Sequence, residues 1–303
     1  MLLSLLGFGA LLVVVALWGH HQEPRYKGRT LRDWARTFEM SMDDGAKPAG
    51  SLKGREAMEA FRHMKKWVLP RAINLVRYEK PEWKTKVEHF MELRLNVRRW
   101  APRWIWAPFY GDPGDDAVIY FRMLGAEGSP AIPELEALAT DPRRGQSAER
   151  AVAALAEIGT EALPALARVT TNMQAKTRLA ALVQINCLGT NAAPAAPLLL
   201  ECVGDADWRI AGNTAEIAGK LRFRPATSVP AIANLLYRPE PFLRRVALLA
   251  LAELAKDARP AVPSLKDALN DSDFGVRLEA TNALRRIAPE VLQKELAPQK
   301  PEN

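Results

Sequence analysis

Residues 260–269, "PAVPSLKDAL", decide the fold. The stretch has the composition of a helix, yet it carries Pro260 and Pro263. A proline inside a helix removes a hydrogen bond and crowds the preceding turn, at a cost of about 3 kcal/mol. The phrase recurs upstream as "PAIPELEALA" from Pro130, "EALPALARVT" from Glu161, "PAAPLLLECV" from Pro194 and "TSVPAIANLL" from Thr227. Aligned on the fourth residue, these give Pro133, Pro164, Pro197, Pro230 and Pro263, spaced 31, 33, 33 and 33. A fixed period of that length marks a stacked repeat protein.

The prolines then fall where a helix tolerates them. The first N–H groups of a helix have no intrahelical partner, and the fixed φ of proline suits the first turn. The pattern predicts a helix beginning near the start of each phrase. Its apolar stripe lies at offsets −1, +2 and +5 from the aligned proline: Ile132, Leu135 and Leu138 in the first phrase, Val262, Leu265 and Ala268 in the last. A second helical pattern alternates with the phrases: "ERAVAALAEIG" (149–159), "TRLAALVQINCLG" (177–189), "WRIAGNTAEIAG" (208–219), "RRVALLALAEL" (244–254) and "VRLEATNALRRI" (276–287). Each unit therefore reads as helix A, turn, helix B. The predicted fold is all-α, an α-solenoid of about six stacked helix pairs.

The combination of P-A-x-P-x-L with a following D…(V/I)R-x-x-A…L resembles HEAT-like repeats of the phycobilisome-lyase type. Asp141–Arg150, Asp205–Arg209 and Asp271–Arg277 carry the acid-then-arginine part. The resemblance covers roughly residues 115–290, and "EAMEAFRHMKKWVLPRAINLV" (56–76) looks like a degenerate first repeat. It implies that Arg178, Arg209, Arg245 and Arg277 dock adjacent repeats. It also implies B helices lining a ligand-facing surface, and work as a scaffold or assembly factor. The family name alone brings in a lyase-like enzyme as a distant alternative.

The N-terminus is different material. Residues 1–18, "MLLSLLGFGALLVVVALW", carry no charged side chain. At 1.5 Å per residue such a helix spans roughly 27 Å, about one bilayer core. The segment reads as an anchor or a signal. Basic residues Arg25, Lys27, Arg29, Arg32 and Arg36 follow at once and would favour the cytoplasmic side. In contrast, "PRYKGRTLRDW" (24–34) resembles a P-x-Y-x-G-R/K-x-L-x-x-W motif of bacterial HEAT-repeat proteins of the cell envelope. The side of the membrane stays open.

The division expected from the sequence is a hydrophobic segment at 1–19 and a basic linker with the PxYxGR motif at 20–52. A degenerate repeat with a Trp/Arg-rich cap follows at 53–110, repeats at 111–290 and a polar tail at 291–303. Residues 22–110 hold 20 Lys+Arg against 11 Asp+Glu, whereas residues 111–303 hold 22 against 24. The densest piece, residues 98–116, contains Arg98, Arg99, Trp100, Arg103, Trp104 and Trp106. Three roles compete for it: an end cap for the stack, a membrane-interface belt and a nucleic-acid surface.

On the repeats, the side opposite the stripe centres on offset +4: Ala137, Arg168, Glu201, Asn234 and Asp267. Offset +8 adds Asp141, Asn172, Asp205, Arg238 and Asp271, giving five acids against two arginines. A mildly acidic groove suits a protein partner better than a polyanion. Arg168, Glu201, Asn234 and Asp267 are the candidate protein-binding residues, and nucleic acid is the lesser reading. The two cysteines, Cys187 and Cys202, read as buried thiols on apolar stripes. Asp43-Asp44-Gly45 and Asp112–Asp116 read as polar turns. No nucleophile elbow, P-loop or HExxH is present in the sequence, so no cofactor, metal or catalytic residue is expected.

Overall fold

The computed structural model describes residues 24–43, 51–94, 96, 99, 112–171 and 175–296. The chain is an all-α solenoid of short helix pairs, and it divides into two compact units. Unit 1 takes the chain up to Ala131 together with Arg144–Ile158. Unit 2 takes Ile132–Arg143 and everything from Gly159 onward.

Unit 1 opens with a hairpin, β1 (Arg25–Tyr26) paired antiparallel with β2 (Arg29–Thr30). Lys27 and Gly28 turn the chain at φ +47 and +77, the left-handed pair that a two-residue hairpin needs. Helix α1 (Leu31–Asp43) starts immediately. The Thr30 hydroxyl accepts from Asp33 N–H, while the Asp33 carboxylate accepts from the Thr30 N–H and hydroxyl, a reciprocal cap. Leu31 and Trp34 are buried, and the Trp34 indole donates to the Tyr26 carbonyl at 3.1 Å. Arg29 lies over the Trp34 ring at 4.3 Å. The Tyr26 ring stacks on His63 of α2 (Leu52–Val76), and its hydroxyl bonds Glu59 at 2.7 Å. Tyr26, Gly28, Arg29, Leu31 and Trp34 of the P-x-Y-x-G-R-x-L-x-x-W motif thus each have a structural task. Residues 24–43, expected as part of a basic linker with the PxYxGR motif at 20–52, fold as a hairpin and helix against α2.

Residues 56–76 lie inside α2, which is one continuous helix despite Pro70. Its buried face runs Ala57, Ala60, Phe61, Met64, Val68, Ala72 and Val76. It packs on α1 and on α4 (Asp115–Leu124), which in turn packs on α6 (Gln146–Ile158). The amphipathic α3 (Glu82–Leu93) buries none of its residues.

In unit 2, α5 (Ile132–Thr140), α7 (Leu163–Val169), α9 (Ala196–Leu199), α11 (Pro225–Asn234) and α13 (Val262–Ala268) are the B helices. The A helices are α8 (Ala175–Cys187), α10 (Trp208–Leu221), α12 (Pro241–Leu254) and α14 (Phe274–Ile287). Helix α15 (Pro289–Leu296) follows, with Leu292 buried, so the segment expected as a polar tail is helical as far as residue 296.

Pro133, Pro164, Pro197 and Pro263 each occupy the second position of their helix. The earlier prolines of the phrase, Pro130, Pro194 and Pro260, sit in separate seven-residue 3₁₀ segments: Gly125–Ala131, Gly189–Ala195 and Ala255–Ala261. A 3₁₀ turn uses fewer N–H groups in register and accommodates a ring that an α-helix interior does not. Pro230 departs from the pattern. Thr227 stands where three of the other phrases have their first proline, and α11 begins a turn early, at Pro225. It is entered through left-handed Arg222 and Arg224. Pro230 is therefore an interior proline rather than a first-turn one. Of the stripe positions, Ile132 and Val262 are partly buried and the remaining thirteen are buried.

A helices pack on A helices of the next repeat, α10 against α12 and α12 against α14. At the first crossing a Cβ on Gly219 would stand 2.8 Å from the Ala250 carbonyl oxygen and 2.9 Å from its Cα. Neither is movable without separating the helices. Gly219→Ala is expected to lower stability by about 1–3 kcal/mol through overpacking, read by urea unfolding. Gly145→Ala, which meets nothing within 4 Å, serves as the control and leaves the midpoint in place.

Candidate interaction surface

The loops that follow the B helices of unit 2 are joined by arginines from the A helices. Arg178 Nε donates to the Thr170 carbonyl at 3.1 Å, and its guanidinium pairs with Asp205 of the next loop. Arg244 repeats the arrangement in full. Its Nη1 donates to the Arg238 and Pro239 carbonyls of its own loop, both at 2.9 Å. Its Nε and Nη2 bond the two Asp271 oxygens at 2.8 and 2.7 Å. Arg277 again reaches its own loop, Nη1 to the Asp271 and Ser272 carbonyls at 2.7 and 3.0 Å. In α10 this position is Ala211, and Arg238 fills in from the following loop, donating to the Asp205 and Ala206 carbonyls at 3.0 Å each. In unit 1, Arg150 pairs with Asp112 and donates to the Tyr78 carbonyl, which gives Asp112 a structural task.

Of the four docking arginines expected from sequence, Arg178 and Arg277 lie in this register, Arg178 joining two loops and Arg277 bonding only its own. Arg209 does not: it is exposed and grips Asp207 of its own helix cap at 2.7 Å. Arg245 is also off the ladder. It runs outside the stack, with Cδ and Nε 3.1 Å from where a Gly275 Cβ would be. The residue missed is Arg244, whose side chain is buried. Arg178, Arg244 and Arg277 are 66 and 33 residues apart. Strict application of the period would have chosen Arg244 over Arg245.

The ladder changes the charge reading of the groove. Asp205 and Asp271, counted among its free acids, are spent on Arg178 and Arg244. Arg244's hydrogen bonds hold the Asp271 carboxyl below the usual carboxylate range. Arg168, Glu201, Asn234 and Asp267 are all exposed on the B-helix side. Two of them are tied to neighbouring repeats. Arg168 forms a two-bond pair with Glu136, at 2.6 and 2.7 Å. Asp267 accepts from the hydroxyl of Tyr237, a ring 64% exposed, at 2.9 Å. The sequence reading missed Tyr237.

A second surface follows the first turns of the A helices. Trp208, Phe242 and Phe274, at 38, 58 and 70% exposure, open α10, α12 and α14. The Trp208 and Phe242 rings meet edge to face at 5.5 Å, and Arg277 lies over Phe274 at 5.6 Å. Their spacings of 34 and 32 residues were the available sequence signal.

Cys202 is buried and its Sγ donates to the Thr170 carbonyl, while burial pushes the thiol up; Cys187, expected to be buried, is exposed. Both are free. Arg99 is exposed. Arg98, Trp100, Arg103, Trp104, Trp106, Asn172 and the hydrophobic residues 1–18 lie outside the described residues. Among the described residues no helix is long and apolar enough to cross a membrane. Among them, too, no cluster of His, Cys, Asp and Glu could hold a metal ion.

Comparison with known proteins gives one family: HEAT repeats match residues 195–285. No curated protein matches the chain. Among solved structures, the crystal structure of an engineered protein is similar at 20% identity, over 60% of this chain and 91% of that one, with a TM-score of 0.39. That likeness is too slight to carry an argument. Residues 195–285 are HEAT-like on the family match, and the other helix pairs share their helix-turn-helix architecture.

Arg244→Ala leaves the Asp271 carboxylate and two loop carbonyls without their donor. It is expected to cost about 3 kcal/mol or more in urea unfolding, while Arg209→Ala leaves the midpoint unchanged. The pH dependence follows from the sign of the shift. Asp271 has a lowered pKa when folded, so its stabilisation is full above the unfolded value of about 3.9 and is lost as pH falls through the folded value. The melting-point gap between the parent chain and Asp271→Asn should be widest near neutral pH and close under strong acid.

Proposed function

We propose that this chain is a non-catalytic protein-binding scaffold whose B-helix side receives a partner protein. HEAT repeats commonly serve as protein-interaction scaffolds, and residues 195–285 match that family. The observation that carries the reading is Tyr237. It is a largely exposed aromatic ring fixed by Asp267 of the next repeat. A preorganised tyrosine loses little entropy on binding and is a common interface anchor. Arg168, tied to Glu136, is a second fixed side chain on that side. Glu201 and Asn234 stand exposed between them. Affinity would be spread over several repeats, each contributing a few ordered groups.

The same proposal tethers the repeats to a membrane through residues 1–18, on the strength of eighteen consecutive residues without a charge.

Two experiments test this. Crosslinking and affinity capture with residues 24–303 should recover a protein partner that is lost, with unchanged thermal stability, on the joint change Arg168→Glu and Tyr237→Ala. Recovery unaffected by that change removes the B-helix side from the proposal. For the tether, the full chain should stay in the membrane pellet after alkaline carbonate washing while residues 24–303 are released. Release of both ends the membrane reading.

A further inference from the structure

We infer that the first turn of α14 is a docking site for an acidic peptide segment in which an aspartate is followed closely by a bulky apolar residue. The inference rests on the protein-binding reading but concerns a different set of helices. Its basis is an internal comparison. Arg244 and Arg277 hold the same place, each with Nη1 shared between two carbonyls of its own loop. In Arg244 the other edge of the guanidinium, Nε and Nη2, grips both oxygens of Asp271. In Arg277 that edge has no partner among the described residues.

The acids nearby are already committed. Asp271 oxygens take Arg244 and the Asp273 N–H, and Asp273 Oδ1 caps α14 through the Val276 N–H at 3.0 Å. Arg277 adds to the field that lowers the Asp271 pKa without bonding its carboxylate. Arg245, beside Gly275 on the same turn, likewise has no carboxylate partner among the described residues. Neither the Nε and Nη2 edge of Arg277 nor the guanidinium of Arg245 therefore bonds a carboxylate among the described residues. A planar fork with one edge open takes a carboxylate through two parallel hydrogen bonds, which an ammonium cannot reproduce.

The chain itself shows the chemistry that such a fork accepts. The occupied rungs use "DADW" (205–208) and "DSDF" (271–274), a carboxylate followed three residues later by an aromatic ring. Next to the open rung stands Phe274, the most exposed ring of the aromatic row, at 70%. The row continues through Phe242 to Trp208. An incoming segment of the same pattern would place its carboxylate on Arg277 and its apolar side chain on Phe274.

The test is fluorescence anisotropy with the full chain and a labelled peptide copying residues 269–276, "LNDSDFGV". Saturable binding is expected. It should weaken at least tenfold with Arg277→Ala and less with Arg277→Lys, and should vanish for the peptide with both aspartates changed to asparagine. Phe274→Ala, at a position outside the ladder, provides a variant that keeps the fold and should bind at least fivefold more weakly. Absence of saturable binding overturns the inference, as does binding by the Phe274→Ala and Arg277→Ala chains that equals that of the parent chain. Binding that emerges only after removal of residues 297–303 also overturns it, because the chain's own tail is then the occupant. Capture of a partner through Arg168 and Tyr237 reads the B helices, so either result can fail without the other.

Discussion

A pair of helices as short as these cannot cover its own apolar stripe. The B helices have four to ten residues, and α7 and α13 have seven each. Two turns offer little hydrogen bonding beyond what their ends leave unpaired. Such elements persist because Leu166, Leu199, Ile232 and Leu265 are each buried to 2% exposure or less by neighbouring repeats. Stability therefore belongs to the interfaces rather than to the units, as in any array that contacts only its neighbours. Across the C-terminal repeats of unit 2 the core is accordingly one continuous cluster, running from Val203 to Leu292.

Burial alone leaves sliding and twisting between repeats weakly determined, because alanine-rich faces are smooth. Two features supply direction. Gly219 lets α10 meet the backbone of α12 at a single place. The arginine ladder fastens loop to loop with hydrogen bonds that have definite angles. Together they hold the exposed side chains of successive repeats in fixed relation. That is the condition under which a polar, modestly charged surface can recognise a partner.

Much of the fold was legible because two periods, 33 and 3.6, are printed in the sequence, the second fixed by backbone geometry. Thirteen of fifteen stripe residues are buried where the pattern put them. The 3₁₀ segments were hidden, since Pro260 and Pro263 look equivalent in sequence and differ only in which carbonyl their turn uses. Arg244 and Arg245 are adjacent and chemically identical, and the 33-residue register and the burial of one distinguish them. The segment at 24–43 was obscured by its charge: Arg29 covers Trp34, and Lys27 pairs with Glu59, so basic residues serve a folded cap. The interaction side chains were least visible. Tyr237 acquires its role from a residue thirty positions away.

The ladder also explains a number met at the outset. An arginine that reaches a fixed distance from its own loop to the next tolerates no extra or missing residue between them. Arg178 and Asp205, and again Arg244 and Asp271, are 27 positions apart. The interval of 31 falls between Pro133 and Pro164, where the intervening A helix sends Arg150 back to Tyr78 and Asp112 instead. The guanidinium thus acts as a ruler. Where it spans consecutive loops the count is held at 33, and where it points elsewhere the chain is free to drop two residues.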